Sequence, residues 1–298
     1  MDLGMLPTES RNERTGDLDR LPVHELLSVM NAEDQSVALA VRSALDQIGA
    51  AVETITHSLR NGGRLVYLGA GTSGRIGLLD AVECPPTFGT SPDQVVGLLA
   101  GGPGAFILAV EGAEDQPQRA ADDLDAISVN AHDTVVGLAA SGRTPYVVGG
   151  LQHASALGAA TVSVACNADA EVSRYADIAI EIPTGPEVLT GSTRLKAGTA
   201  EKMVCNMLST ASMVRLGKVY GNLMVDVRAT NDKLVDRVRR IVIQATGASP
   251  EIADSALHAT GGHAKAAIVM IAAGCSGAEA ARRLERTDGD IRAAMEAR

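Results

Sequence analysis

The sequence predicts an α/β fold of Rossmann-like type, a five-stranded parallel sheet flanked by helices, followed by a small C-terminal helical domain. Two observations carry this. Five short β-branched runs are each followed by a Gly- or Ser-rich turn and a helical pattern, and after Pro186 the character changes, with only helical patterns from Thr230 onward. Residues 1–20 are polar and read as an N-terminal arm. From Glu33 to Arg60, Val37, Val41, Ala44, Leu45, Ile48, Val52, Ile55 and Leu59 recur at three- and four-residue steps, which predicts one long amphipathic helix. Asn61-Gly62-Gly63 ends it. The predicted strands are Leu65 to Leu68, Val95 to Leu99, Thr134 to Leu138, Thr161 to Ala165 and Ile178 to Ile182. Arg194 to Leu216 reads as a long helix, and helices continue from Thr230, punctuated by Gly247, Gly261-Gly262 and Gly274. The last helix, Ile291 to Arg298, has Asp290 as its N-cap. The organisation expected is an arm over 1–20, an α/β domain over 21–225 and a helical domain over 226–298.

Composition narrows the function. The chain of 298 residues is 46% apolar and 21% charged, ample for a buried core. No apolar stretch is long and uninterrupted enough to span a membrane, and MDLGMLPTESRNERTG lacks the apolar core of a secretory signal, so a cytoplasmic protein is expected. The formal net charge of −10 offers no field for nucleic acid, so an anionic ligand must be held locally. Aromatic residues make up 2% with no Trp, which removes stacking platforms. Cys84, Cys166, Cys205 and Cys275 are far apart without a CxxC pair, so reduced thiols are expected rather than a zinc knuckle or disulfide scaffold.

The first strand runs into Gly69-Ala70-Gly71-Thr72-Ser73-Gly74, with a helix expected from Arg75 to Val82. A dinucleotide site built on this GxGxxG needs an acid at the end of the next strand, where Leu99-Ala100-Gly101-Gly102 stands instead. The loop still supplies glycine amides, a helix N-terminus and two hydroxyls, which suit a phosphate monoester. Ser141-Gly142-Arg143-Thr144-Pro145 repeats the device after the third strand, with Pro145 fitted to a first helical turn, and Gly191-Ser192-Thr193-Arg194 opens the long helix. One such hydroxyl is ordinarily an N-cap, but three openings favour a shared oxyanion or sugar-phosphate cradle. No GxxxxGK[ST] and no GxSxG is present.

Glu83 lies among Val82, Cys84, Pro85, Pro86 and Phe88, a setting expected to raise its pKa and fit it to general-acid work. Glu114, in Val110-Glu111-Gly112-Ala113-Glu114-Asp115 near the same sheet edge, is the candidate base. The six histidines lack HExxH spacing or a paired ligand, so no metal is expected. His263 and Lys265, after Gly261-Gly262, are more simply a helix cap or exposed groups than substrate contacts.

The runs Gly69 to Arg75, Glu83-Cys84-Pro85-Pro86-Thr87-Phe88-Gly89, Val110 to Asp115 and Thr8-Glu9-Ser10-Arg11-Asn12 together resemble the N-acetylmuramic acid 6-phosphate etherase family of the sugar isomerase (SIS) superfamily. The resemblance spans nearly the whole chain. It implies a SIS-type phosphosugar-binding domain and cleavage of the lactyl ether of N-acetylmuramic acid 6-phosphate, in cell-wall sugar recycling, without a cofactor. It also implies that Glu83 protonates the departing ether oxygen while Glu114 removes the C2 proton, before water adds to the unsaturated intermediate. The phosphate role passes to Thr72, Ser73, Ser141 and Thr144, with Gly142 in the same turn and Ser192 and Thr193 as further candidates. Many phosphosugar isomerases carry a hydroxyl two positions before the loop Ser141, whereas Ala139 stands there. The resemblance further implies a homodimer, with an arm bearing Glu9, Arg11 and Asn12 that either closes the partner's site or is merely tethered. Arg75, Arg143 and Arg194 are the candidate cations for the lactyl carboxylate. The rival functions are a non-catalytic phosphosugar sensor, a phosphosugar isomerase and a dinucleotide oxidoreductase.

Overall fold

The computed structural model describes residues 6–227 and 232–297. The chain divides into two compact units, one formed by the chain up to Val82 with Asp93–Ser209, the other by Glu83–Pro92 with the chain from Thr210 onward.

The first unit is built on a five-stranded, all-parallel sheet, β1 (Leu65–Gly69), β2 (Val95–Leu99), β3 (Thr134–Leu138), β4 (Ala160–Ala165) and β5 (Ile178–Glu181), in the order β2-β1-β3-β4-β5. The five expected strands are all present, within a residue of their expected ends. Helices α1 (Val23–Arg42) and α2 (Leu45–Arg60) precede the sheet, α3 (Gly71–Phe88), α4 (Pro117–Ala126) and α5 (Pro145–Ala156) connect its strands, and α6 (Lys196–Arg215) follows β5. Alternation along β1 assigns the faces. Val66 and Leu68 point into a core with Val135, Tyr146, Val147, Leu151, Ala120 and Leu124, under α4 and α5. Tyr67 points the other way, where its hydroxyl donates to Asp80 of α3 (2.9 Å) and the Cys205 carbonyl of α6 (3.2 Å). Gly77 lets α3 lie directly on Tyr67 and Leu138, since a Cβ there would come within 2.9 Å of both. Because both faces are covered, β1 and β3 are buried throughout and read as continuous apolar runs.

Two helices differ from expectation. The periodic stretch from Glu33 to Arg60 is two helices, interrupted at Ser43-Ala44, where Ser43 Oγ and its amide both turn back to the Ala40 carbonyl. The first of them starts earlier, at Val23. The helix expected over Arg75 to Val82 begins at Gly71 and continues to Phe88 through Pro85 and Pro86. Two prolines remove two backbone donors, a cost tolerable so close to the helix end. Gly89 (φ +64°) then stops the helix, its amide donating to the Pro85 carbonyl (3.0 Å).

The N-terminal arm packs on its own unit. The Thr8 amide and hydroxyl both bond the Asn167 side chain, Thr15 Oγ1 donates to the Val188 carbonyl (2.9 Å), and Arg14 pairs with Glu33 (2.7 Å).

The second unit holds α7 (Asp232–Thr246), α8 (Pro250–Ala259), α9 (Ala264–Ala273), α10 (Gly277–Arg286) and α11 (Ile291–Glu296) around an aliphatic core that includes Val238, Val242, Ile268, Val269, Ala280 and Ile291. Asp290 caps α11 as expected, its carboxylate accepting from the Arg292 and Ala293 amides. A two-stranded antiparallel hairpin, β6 (Val219–Tyr220) and β7 (Leu223–Met224), was not expected; its turn is Gly221-Asn222, with Gly221 at φ +60°. Thr230, residues 1–5 and Arg298, on which expected boundaries fall, lie outside the described residues. Among the described residues no single helix is long and apolar enough to cross a membrane.

Candidate functional site

Strand order reverses between β1 and β3, so the connections leaving their C-terminal ends diverge and leave a crevice there. Gly69 pairs with Leu99 on one side and Leu138 on the other, which brings the loops after β1, β2 and β3 to one edge. Three of the sequence's candidate segments lie on these loops.

After β1 the chain turns so tightly that a Cβ on Gly69 would sit 2.7 Å from Gly74. Gly71 takes a left-handed conformation (φ +53°) and α3 starts at once, with the Gly74 amide bonded to the Ala70 carbonyl (3.1 Å). Thr72 and Ser73 are therefore in the first helical turn rather than in a loop before it, and the leading amides of a helix have no acceptor within it. Together with the helix dipole they draw an anion.

After β3, the Gly142 amide closes a turn on the Ala139 carbonyl (2.7 Å) with Gly142 at φ +75°. A Cβ there would come 2.5 Å from that of Ala170, so Gly142 contributes space and turn geometry, its amide being already used. Ser141 Oγ accepts from the Arg143 amide (3.4 Å), which leaves its own O–H to donate outward. Thr144 occupies the N-cap position of α5 with Pro145 in the first turn, yet makes no side-chain capping bond. The simple N-cap reading therefore does not account for the Thr144 hydroxyl. Asn167 Nδ2 braces the loop from behind, lying within 3.3 Å of the Ala140 and Ser141 carbonyls and 2.9 Å of Thr8 Oγ1.

The connection after β2 carries Glu114. Its carbonyl accepts from the Tyr146 amide (3.0 Å), which fastens the loop to the first turn of α5, directly beside Thr144. Glu114, exposed, lines a cavity of about 230 Å³ with Ala70, Gly71, Arg75 and Ala100. The Arg75 guanidinium donates to the Ala105 (2.8 Å) and Phe106 (3.0 Å) carbonyls, so it shapes the wall while placing its charge at the cavity.

Ser192 and Thr193 lie on the approach to α6. The Thr193 carbonyl accepts from the Gly198 amide (2.8 Å), and Gly198 has room for a Cβ only at 3.4 Å from Thr72 Cγ2, so this segment adjoins the first turn of α3. The first amides of α6, at Lys196 and Ala197, are taken by the fully buried Glu187 carboxylate (2.9 and 3.0 Å). That end of α6 is therefore no anion site, and Ser192 and Thr193 have only their hydroxyls to offer. Lys196, buried, reaches Glu33 (2.8 Å), which also takes Arg14. Nothing in the sequence marked Glu187, Lys196 or Glu33, because the three are separated in the chain and meet only once the sheet is built.

Glu83 belongs to the second unit. The apolar enclosure expected around it is not found in this chain. On α3 the i and i+4 residues Cys84 and Phe88 turn inward and are buried, which leaves Val82, Glu83 and Pro86 on the outer face. In the same unit Lys265 and Lys218 both pair with Asp226 (2.8 and 3.1 Å), and His263 stands exposed before α9 without a capping bond. Cys84, Cys166, Cys205 and Cys275 are not joined in disulfides. Among the described residues no cluster of three or more His, Cys, Asp or Glu is placed to hold a metal ion.

Comparison with known proteins places this geometry. The glucokinase regulatory protein N-terminal SIS domain matches residues 47–155, and the SIS domain matches residues 117–211. The N-acetylmuramic acid 6-phosphate etherase of Mycolicibacterium smegmatis is 81% identical over 295 residues, 99% of each chain. The chain belongs to the N-acetylmuramic acid 6-phosphate etherase family. A second member, from Exiguobacterium sp., is 57% identical over 98% of this chain and its own full length. The fold likeness extends to a proposed phosphosugar isomerase involved in capsule formation from Bacteroides fragilis, 22% identical with a TM-score of 0.50, covering 66% of this chain and 94% of that one. In this etherase family member the matched SIS core thus coincides with the sheet whose reversal point carries the Gly71–Ser73 and Ser141–Thr144 loops.

Proposed function

We propose that this chain cleaves the D-lactyl ether of N-acetylmuramic acid 6-phosphate to N-acetylglucosamine 6-phosphate and D-lactate, as a cofactor-independent lyase of cell-wall amino-sugar recycling. The 81% identity with an etherase over 99% of both chains carries this reading. The match to a regulatory protein's SIS domain over residues 47–155 is too short to favour a sensor instead.

In the proposed reaction the substrate phosphate sits at the first amides of α3 and takes hydrogen bonds from Thr72, Ser73, Ser141 and Thr144. Gly142 keeps the second loop clear of a Cβ, and Ser192 and Thr193 add hydroxyls from the α6 side. In the ring-opened sugar the C2 proton is acidic because C1 is a carbonyl. Glu114 takes that proton, the C3–O bond breaks, and the lactyl oxygen leaves with a proton from Glu83. Water then adds at C3, giving a proton back to Glu83, while C2 is reprotonated from Glu114. The sum is substrate plus water giving two products, with both carboxyls restored. Support for Glu114 comes from its anchoring beside Thr144 at the cavity that includes Gly71. Glu83 is assigned by the family resemblance, and its exposure leaves it free to meet a substrate. The positive charge of Arg75 at that cavity makes it our choice to face the lactyl carboxylate. We further propose a cytoplasmic homodimer.

The test is D-lactate release in water enriched in heavy oxygen. Label at C3 of the sugar product, lost in Glu83→Gln and Glu114→Gln, supports elimination and hydration by two carboxylates. Lactate absent from the wild-type reaction, with phosphosugar binding intact, would overturn the enzyme in favour of a sensor.

A further inference from the structure

Glu201, in α6, is fully buried, and neither of its carboxyl oxygens makes a hydrogen bond of good geometry, although the Ser73 hydroxyl lies close enough to act on the carboxyl. It stands three residues after Gly198, the residue that brings α6 against Thr72 and Ile76 of α3, and the same helical face carries it to Ser73. Ser73 is itself buried (8% exposed) in the turn to which the phosphate was assigned above. A buried carboxylate without a cation is far costlier than the neutral acid, so the proton stays on. A neutral acid has one O–H to give, and Ser73, whose side chain acts on this carboxyl, has an oxygen able to accept it.

We propose that Glu201 is a positioning residue for the phosphate cradle: as a carboxylic acid its O–H donates to Ser73 Oγ, which turns the Ser73 hydroxyl hydrogen toward the bound phosphate. The inference rests on the reading of Ser73 as a phosphate ligand. Ionised, the same group would accept from Ser73 instead, withdrawing that donor and placing a negative charge behind the anion.

The direction of its titration agrees. Burial pushes the Glu201 carboxyl up to about 8, with the Ser73 hydroxyl opposing the shift. The surrounding titratable groups add no compensating contact. Cys166 at the end of β4 and Cys205 on α6 are both pushed well up, first by burial and then by neighbouring carboxylates that include Glu201. Glu187 is spent on the α6 amides, and Asp80 of α3 takes Tyr67 and Ser209, with Lys202 acting on Asp80.

The experiment measures kcat and KM for N-acetylmuramic acid 6-phosphate from pH 7 to 9.5, where the phosphate is already a dianion, on the wild type, Glu201→Gln, Glu201→Met and Ser73→Ala. Thermal unfolding confirms the folded state of each. If only the protonated form binds, wild-type KM rises about thirtyfold across this range while kcat at saturation is retained. Glu201→Gln, which keeps an N–H for Ser73 and has no charge to acquire, holds KM near its neutral value and flat with pH. Glu201→Met, matched in bulk but without a donor, raises KM about tenfold at every pH, as Ser73→Ala does. A flat wild-type KM, or an alkaline rise kept in Glu201→Gln, overturns the proposal; this comparison stands even if Glu201→Met does not fold. An unaltered KM in Ser73→Ala strikes the phosphate assignment itself, which separates the two failures.

Discussion

Replacing Glu201 by glutamine tests how strongly the fold opposes an ionised group at that position. The ordinary carboxyl value is 4.5, and burial raises it to about 8 in the folded chain. Below pH 4.5 folded and unfolded chains both hold the proton, and the residue adds no pH dependence. Between 4.5 and about 8 the unfolded chain releases the proton and the folded chain keeps it, so stability falls by about 1.4 kcal/mol per pH unit, about 5 kcal/mol over the whole interval. Above about 8 both forms are ionised and the loss is complete. Glutamine cannot ionise, so the variant lacks this slope whatever its absolute stability. The assay is thermal or urea unfolding of both proteins at pH 5.5, 6.5 and 7.5. The difference between them should shift by about 2–3 kcal/mol from pH 5.5 to 7.5, about 5 °C in Tm for a chain of this size. Other carboxylates cancel in the comparison. Parallel curves for the two proteins would show that Glu201 is ionised or solvated, and the reasoning from its burial would fail.

Other outcomes follow from the same geometry. Glu83→Gln and Glu114→Gln should each lower kcat for lactate release by about 10²–10⁴ with KM changed only a few-fold, read by coupled lactate assay. Asp133 is buried, but Arg64 and two backbone amides overcome the burial and hold its carboxyl below the usual 3.8. Its stabilisation is full above pH 3.8 and is lost as pH falls through the lowered value, and Asp133→Ala should cost about 3–5 kcal/mol by urea unfolding because Arg64 is left unpaired. Gly142→Ala should cost about 1–3 kcal/mol, from a positive φ and contact with Ala170, and raise KM more than it changes kcat.

The sheet was legible because both of its faces are covered, so strands such as Thr134–Leu138 read as unbroken apolar runs between turns. The loops after β1 and β3 were legible because Gly71 and Gly142 need positive φ and stand beside hydroxyls. The extent of α3 was not. The expected helix stopped at Val82, while the structure carries it through Pro85 and Pro86 to Phe88. The Tyr220-Gly221-Asn222-Leu223 hairpin did leave a signal, a Gly-Asn pair between apolar dipeptides, too short to stand out beside helical periodicity. Glu83 was misjudged in burial because its apolar sequence neighbours lie on other faces of the helix, which adjacency in sequence does not reveal. Glu201 had no local signature, since its isolation is made by α3 and α6 meeting at Gly198.

The bond between Thr8 and Asn167 joins residues 159 positions apart. At a synthesis rate of about 5–20 residues per second, about 10–30 s separate the emergence of the two. By the end of that interval the nascent chain carries the Gly71 and Ser141 segments, but until Asn167 emerges the Ser141 loop lacks its brace and the arm has nothing to close on. Ligand affinity should therefore be acquired late on the ribosome, when the loop after β4 is exposed, and not when the two loops proposed to hold the phosphate themselves appear.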